Sequence, residues 1–593
     1  MITRLFDIVE KRSIDEPDSV MLAAKENGEW KTYSCKEVWI YAKQLAAGLA
    51  ALGISEDLST PETQEKIAIV SPNRPEWIIA DLGAQLSGAV LTPVYPTVSF
   101  HDMEYILEEA GIHIVFVADK ELHKRFAPSF SKVSSIKHVF SFDEVEGVQH
   151  WKTLLESAAD FNQEKATNIT ENTLATIIYT SGTTGNPKGV MLTHKNIVSN
   201  IKDCMPEFWF AEKDSRVLSF LPLNHIFERT ITYIYIHAAV AIYYAQSMET
   251  IGDNLKEVKP IVFTTVPRLL EKVYEKIYAK GSELQGIKRK LFFWALELAK
   301  KYDNINKGSL WYRFQLAIAN RLIFSKWREA LGGNVKAIVT GSAACQVRLI
   351  RIFSAAKITI MEGYGLTETS PVISVNKFVS KDRRIGTIGP VIQNVEVKLA
   401  PDGEILARGN NIMLGYYKNP QLTAEAITGG WFHTGDIGTW IENRFLKITD
   451  RKKEIFKTSG GKYVAPQLLE NKMKESLYIE QILVTGAGKK FVSALIVPAF
   501  SNVRSYLKEK GITVPASNRD LIEMKEVRYL VREELNKYNK EFSHVEQVKK
   551  FRFLENEWTI DRGEMTPSLK LRRKVIEEKY KDRITDMYGE EED

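Results

Sequence analysis

Short, apolar, β-branched runs alternate with helical patterns along the first two-thirds of the chain. Lys66-Ile67-Ala68-Ile69-Val70 predicts a strand, Pro75-Glu76-Trp77 opens a helix running to Leu86, and 89–94 predicts the next strand. The same kind of run recurs at 113–117, 175–179, 261–264, 337–340 and 358–360. Such alternation is the signature of a parallel α/β sheet, whose functional loops gather at the carboxyl ends of the strands.

Two regions break this rhythm. Residues 280–330 read as helix, with Ile287, Leu291, Ala295 and Leu298 on one face and Lys288, Arg289, Lys290, Lys300 and Lys301 among them. From 386 to 447 the pattern turns to short strands, and Pro401-Asp402-Gly403 between 395–399 and 404–407 predicts a hairpin. Beyond Asp450 the chain is more charged, yet 481–485 and 492–497 still read as strands, enough for a small α/β domain ending near Tyr588. The acidic tail 590–593 reads as solvated and disordered. The expected fold is therefore α/β. A large N-terminal α/β domain covers 1–449, with a helical insertion at about 280–330 and a β-rich subdomain; a small mobile C-terminal α/β domain covers 450–593.

The uncharged stretch 230–246 is shorter than the ~20 apolar residues a membrane span needs, and it reads as a buried element. Asp7 and Glu10 interrupt the N-terminal apolar residues, which argues against a secretory signal. Composition adds exclusions. Of 593 residues, 44% are hydrophobic and 26% charged, which excludes wholesale disorder and a collagen or coiled-coil rod. Lys plus Arg is 80 and Asp plus Glu 75, a net +5 that gives no ground for nucleic acid as the main partner. The three cysteines, Cys35, Cys204 and Cys345, are too scattered for a disulfide framework or a zinc site, so a reducing, cytoplasmic compartment is expected.

The strongest chemical signal is Tyr179-Thr180-Ser181-Gly182-Thr183-Thr184-Gly185-Asn186-Pro187-Lys188-Gly189. Three glycines allow tight turns with inward-pointing amides, and four hydroxyls and a lysine add donors without bulk. After a buried strand such a loop suits a polyphosphate better than a plain surface turn. It is not a Walker A loop, because Pro187 precedes Lys188 and Gly189 follows it. No Gly-x-Ser-x-Gly elbow stands near a plausible Asp/His pair, so covalent serine catalysis has no support.

The loop matches, residue for residue, the phosphate-loop signature of the adenylate-forming, AMP-binding superfamily, and the chain resembles that superfamily at four further places in the same order. These are Gly363-Tyr364-Gly365-Leu366-Thr367-Glu368-Thr369, Trp431-Phe432-His433-Thr434-Gly435-Asp436, the hinge signature from Asp450-Arg451-Lys452 through Lys457 to Ser459-Gly460-Gly461, and Thr566-Pro567-Ser568-Leu569-Lys570-Leu571-Arg572-Arg573. The resemblance implies that Thr180, Ser181, Gly182, Thr183, Thr184, Gly185 and Lys188 surround the phosphates of ATP. Glu368, a hard oxygen ligand, and Thr184 would hold Mg²⁺. Tyr364 would stack on adenine beside Gly341 and Gly365, Thr367 would bond the α-phosphate, and Asp436 with Arg451 would take the ribose. Gly341, Ser342, Ala343, Gly365 and His225 would lie by the acyl group, although a lone His is as often structural. Lys457, Ser459, Gly460 and Gly461 would line a channel for CoA. Glu368, Thr184 and Lys570 form the implied catalytic set. Because Lys570 lies far beyond the hinge at Asp450, the resemblance implies two orientations of the small domain, one for each half-reaction.

Within the superfamily the chain most resembles long-chain fatty acyl-CoA synthetases. The resemblance rests on 259–274, which follows their K-P-T-x-x-x-x-V-P-R-x-x-E-K-x-Y run, on the helical 280–330, and on Leu569 in place of a glycine. The implied reaction is ATP-dependent conversion of a long-chain fatty acid to acyl-adenylate with release of pyrophosphate, then transfer to CoA. Loading of a carrier protein, or a non-catalytic lipid-binding scaffold, are the alternatives; intact Glu368, Asp436 and Lys570 argue against the scaffold. Implied partners are fatty acid, ATP and CoA, with no nucleic acid. The basic stretch 287–301 offers a peripheral contact with the cytoplasmic membrane face, against the preferred reading of a solvated face on a packed helix.

Overall fold

A computed structural model describes residues 1–54, 57–156, 166, 168–180, 186–210, 212–560, 562–566 and 570–589. It divides into two compact units. One comprises 1–397, 406–433 and 442–445; the other comprises 398–405, 434–441 and 446–593.

The first unit carries two eight-stranded sheets, not one parallel sheet. One runs in the order Gly415–Tyr416, Lys188–Thr193, Leu174–Thr180, Val90–Val94, Lys66–Val70, Ile112–Val117, His138–Ser141 and Gln149–His150. The other runs Val372–Val375, Thr359–Gly365, Ala337–Thr340, Val262–Thr265, Arg216–Ser219, Ala241–Tyr244, Val20–Glu26 and Glu29–Ser34. Interiors are parallel; Gln149–His150 makes a parallel edge of the first sheet, and the other edges are antiparallel. The predicted strands thus fall into two groups, those up to residue 180 in the first sheet and those after 260 in the second. Local periodicity fixes that a segment is a strand, but its partner is set by side chains distant in sequence. The pairing of Leu174–Thr180 with Lys188–Thr193 is antiparallel because the connection between them is too short for a crossover.

The helix Pro75–Leu86 is buried at every position, as its apolar composition and Pro at the first turn lead one to expect. The stretch 230–246 forms most of the helix Ile226–His237 and the strand Ala241–Tyr244, both largely buried. Among the described residues no helix is long and apolar enough to cross a membrane. The predicted helical stretch opens on the end of Pro267–Ser282 and contains Gly286–Lys300, Leu310–Ala319 and Ser325–Ala330, with a π-helical turn at Asn320–Phe324. The face of Gly286–Lys300 differs from expectation: Phe292, Ala295, Leu296, Leu298 and Ala299 are buried, whereas Ile287 is 76% exposed. Ile287 sits in the first turn, outside the packed length of the helix.

The β-rich region is a five-stranded sheet in the order Val395–Leu399, Glu404–Gly409, Trp431–Ile441 and Ile427–Thr428, with Phe445–Arg451 beside Trp431–Ile441. The second unit holds a three-stranded sheet of Ile479–Thr485, Val492–Pro498 and Val548–Phe553. Strand alternation divides its core. Ile482, Val484, Ala494 and Ile496 pack with Val503, Val527, Val531 and Leu535, while Leu483, Leu495 and Val497 pack with Trp558, Ile576 and Met587.

Candidate functional site

Three charged or polar side chains converge where the Gly-rich loop meets its second strand. Lys188 stands opposite Thr180 in the ladder. Its ammonium donates to Oε1 of Glu368 at 2.9 Å and to the Tyr416 hydroxyl at 2.6 Å. The Tyr416 hydroxyl donates to the same Oε1 at 2.8 Å, and the ammonium lies 4.1 Å from the Tyr416 ring centroid. Glu368 sits in the 3₁₀ turn Thr367–Thr369 that follows strand Thr359–Gly365, and its carbonyl accepts from the Met413 amide at 2.9 Å. Burial alone would raise its carboxyl, but the charge and hydrogen bond of Lys188, with the Tyr416 hydroxyl, hold it below the ordinary range. Glu368 is therefore a buried, ionised carboxylate whose Oε1 takes both donors. Burial and the Glu368 charge raise the Tyr416 phenol, so it remains a donor. The Thr180 hydroxyl is buried and has no hydrogen-bond partner among the described residues. Ser181, Gly182, Thr183, Thr184 and Gly185 lie outside the described residues, as do Pro567, Ser568, Leu569 and the acidic tail.

The candidate acyl and adenine residues come from adjacent strand ends. Thr340 pairs with Glu362, so Gly341, Ser342 and Ala343 follow the end of one strand while Gly363, Tyr364 and Gly365 continue its neighbour. A Cβ on Gly341 would meet the Gly363 carbonyl at 3.4 Å and the Phe227 ring at 3.6 Å, ordinary contact distances, so these elements lie side by side. Gly365 is fixed by backbone: a Cβ there would fall 1.6 Å from the Pro371 carbonyl. Gly341 is buried, Ser342 half-buried and Ala343 exposed; Tyr364 and Thr367 are buried. His225 caps the helix Ile226–His237, its Nδ1 accepting from the Phe227 amide at 3.1 Å, which puts the neutral ring's proton on Nε2. One turn on, Glu228 is fully buried and accepts from Ser219 at 2.6 Å and from Thr264. Burial pushes its carboxyl up to about 7 despite those bonds.

The second unit groups its own candidates. Asp436 Oδ1 lies 3.2 Å from Nε of Arg451. The turn before it is clamped: the Gly435 amide donates to Glu404 at 3.0 Å, the Gly435 carbonyl accepts from the Lys452 amide at 2.9 Å, and Lys452 Nζ bridges Asp402 at 2.6 Å and Glu404 at 2.9 Å. Gly435 has φ +73°, a conformation a side chain would strain. Asp450 is 1% exposed; its Oδ1 accepts from the Arg451 amide at 2.5 Å, while Oδ2 has no partner among the described residues. Burial pushes this carboxyl up to about 7 against the Arg451 amide, and nearby Glu454 and Glu470 add to the rise. Lys457, Ser459, Gly460 and Gly461 form an exposed hairpin in which Phe456–Lys457 pairs with Tyr463–Val464. The Lys457 ammonium lies 4.6 Å from the Tyr463 ring centroid. Lys570 closes a short loop, its carbonyl accepting from the Thr566 amide at 2.8 Å and its amide donating to Thr566 Oγ1 at 3.1 Å.

Glu368 is the donor in this set that bears on magnesium. Among the described residues no group of three or more His, Cys, Asp or Glu gathers as a metal cage. Mg²⁺ ordinarily takes one or two carboxylates and completes its shell with phosphate and water, and the ionised Glu368 carboxylate is a donor of that kind. Sequence reasoning missed Tyr416; its available signal is the aromatic pair after a glycine in Gly415-Tyr416-Tyr417.

Comparison with known proteins places these residues in context. The model of the AMP-binding enzyme family matches residues 9–417, and that of the AMP-binding enzyme C-terminal domain matches 453–592. A long-chain-fatty-acid–CoA ligase of Mycobacterium bovis is 34% identical over 586 residues, covering 97% of this chain and 96% of its own. Long-chain-fatty-acid–CoA ligase 1 of Homo sapiens is 32% identical over 598 residues, covering 93% of this chain and 82% of its own. In fold, the adenylation domain of a carboxylate reductase from Mycobacterium chelonae aligns with a TM-score of 0.78 at 20% identity, over 99% of this chain and 91% of that one.

Proposed function

Because the chain belongs to the AMP-binding enzyme family, we propose that it joins a long-chain fatty acid to CoA at the expense of ATP. A carboxylate is a poor electrophile because hydroxide is a poor leaving group. Attack of the fatty carboxylate on the α-phosphate of ATP forms an acyl-adenylate and expels pyrophosphate. The CoA thiol then attacks the acyl carbon, and AMP leaves with the bonding electrons. No enzyme nucleophile is needed, so catalysis consists of positioning and charge stabilisation.

The observation that carries this reading is the cluster of Lys188, Glu368 and Tyr416 at the end of the Gly-rich loop. Thr180, Ser181, Gly182, Thr183, Thr184, Gly185 and Lys188 hold the phosphates. Glu368 and Thr184 would hold Mg²⁺, which when bound neutralises triphosphate charge. As Lys188 turns to the phosphates, Tyr416 keeps its bond to Glu368 and holds the carboxylate in place. Tyr364, Gly341 and Gly365 receive the adenine, Thr367 the α-phosphate, and Asp436 with Arg451 the ribose. His225, Gly341, Ser342, Ala343 and Gly365 border the acyl group. Lys570 serves adenylation, while Lys457, Ser459, Gly460 and Gly461 serve CoA. The working parts are 1–449 and 450–593, with Asp450 as hinge. Three buried free cysteines agree with a cytoplasmic setting, and peripheral membrane contact belongs to the same proposal.

The test is ATP–pyrophosphate exchange. Exchange that requires a long-chain acid and Mg²⁺ supports the reading; exchange indifferent to the acid contradicts it.

A further inference from the structure

The helix Gly286–Lys300 places its apolar face in packing and leaves Lys288, Arg289 and Lys290 in solvent. The next helix behaves differently. Leu310–Ala319 buries only Ala319. Leu310, Trp311 and Phe314 are 80%, 65% and 57% exposed, and Leu322 one turn beyond is 48% exposed. The rings of Trp311 and Phe314 stack with centroids 5.7 Å apart, so they present one apolar plate. Exposed apolar residues are ordinarily scattered singly; large ones grouped along one helix mark a contact surface.

The charge around this plate is predominantly positive, although Lys300 pairs with Glu297 at 2.5 Å. Lys300, Lys301, Lys307, Arg313, Arg321 and Lys326 are all exposed. Between 300 and 326 the sequence holds one acid, Asp303, and Arg351 lies 3.9 Å from it. We propose that this helix docks the protein on an anionic phospholipid bilayer. Leu310, Trp311 and Phe314 enter the headgroup boundary, where an indole places its ring in the apolar layer and its N–H in the wet one, and the flanking cations meet lipid phosphates. A second copy of the chain is the poorer occupant, because a two-fold interface would set the same cations against one another. The inference stands on the surface itself. The proposed function adds that a long-chain acid dissolves in the same bilayer.

The test sediments the full-length protein with vesicles of phosphatidylcholine alone and of phosphatidylcholine mixed with phosphatidylglycerol. Binding is expected to the anionic vesicles at low salt, and to weaken at high salt and on neutral vesicles. Trp311→Ser with Phe314→Ser should lower affinity for anionic vesicles roughly tenfold, and Arg313→Glu with Arg321→Glu by a similar factor. Both double variants should turn over a water-soluble medium-chain acid like the parent, which shows that they fold. Anionic-vesicle binding that neither double variant weakens overturns the proposal. So does a fall in self-association of the Trp311→Ser, Phe314→Ser protein with vesicle binding unchanged, which would assign the surface to a second copy. Vesicle binding with these dependences in a protein that activates no fatty acid would support the surface while contradicting the enzymatic reading.

Discussion

Lys188 and Glu368, 180 residues apart in sequence, form a part-buried ion pair of 2.9 Å at the foot of the Gly-rich loop. A fully buried pair tends to serve rigidity, because both charges are costly to release. Here the lysine retains 30% side-chain exposure and the glutamate 8%. Under the proposed function the ammonium exchanges its partner for phosphate oxygens while the carboxylate stays in place, held by Tyr416.

Glu368→Gln keeps the shape and removes the charge. Adenylation at limiting Mg²⁺ should fall by roughly 10²-fold, with partial recovery at high Mg²⁺. Pyrophosphate exchange across a Mg²⁺ series measures this; an unchanged Mg²⁺ dependence would show that another group serves as ligand.

Tyr416→Phe removes one donor and leaves the ring. The expected loss is about tenfold in adenylation, by analogy with partners of metal ligands, and it should appear as a raised Mg²⁺ requirement more than a raised KM for the acid. Loss confined to the acid KM would place Tyr416 elsewhere in the chemistry.

His225 acts as a helix cap, and that role separates from any contact with substrate. His225→Ala should cost on the order of 1 kcal/mol in stability, while His225→Asn, whose side chain also caps, should restore most of it. If both variants raise the KM for fatty acid, the imidazole borders the acyl group; if the Asn variant behaves as the parent in KM as well, His225 is a cap alone.

The pH dependence of stability follows from buried carboxyls. Glu228 moves from 4.5 in the free side chain to about 7 in the fold. The folded state therefore binds the extra proton between those values, and stability falls as pH rises from about 4.5 toward 7. Glu228→Gln is neutral at every pH and should lose that part of the slope, so its unfolding midpoint should gain on the parent above neutrality, by an amount on the order of 2 kcal/mol. Denaturant unfolding at pH 5.5 and 8 decides it; an equal difference at both values would mean that Glu228 is not protonated in the fold.

Much of this was legible in the sequence for identifiable reasons. The helix Pro75–Leu86 and the strand Lys66–Val70 follow from a proline at a helix start and from a β-branched run. Glu368, Asp436 and Lys570 stand in contiguous signatures. The division of strands between two sheets was not legible, since it depends on which strands pair. Neither was Tyr416, whose partners lie 48 and 228 residues away. Ile287 shows a third limit: periodicity places a residue on a face but does not say how far along the helix the packing extends.

Lys570→Ala should slow acyl-adenylate formation by roughly 10²-fold, as removal of one preorganised charge donor does, and leave conversion of supplied acyl-adenylate and CoA nearly unchanged. Single-turnover assays of each half-reaction measure the split; equal slowing of both would contradict the assignment of Lys570 to the first.

The joining of a long, apolar acid to CoA through its adenylate is tested by measuring AMP, pyrophosphate and thioester together across acids from acetate to very long chains. Each buried CH₂ contributes roughly 0.8 kcal/mol, so turnover at low acid concentration should rise steeply with chain length for as long as added carbons are buried. Palmitate should give AMP, pyrophosphate and palmitoyl-CoA in equal amounts, with sustained turnover only when CoA is present. Acetate used as well as palmitate, or AMP released continuously without a thiol acceptor, would contradict the account.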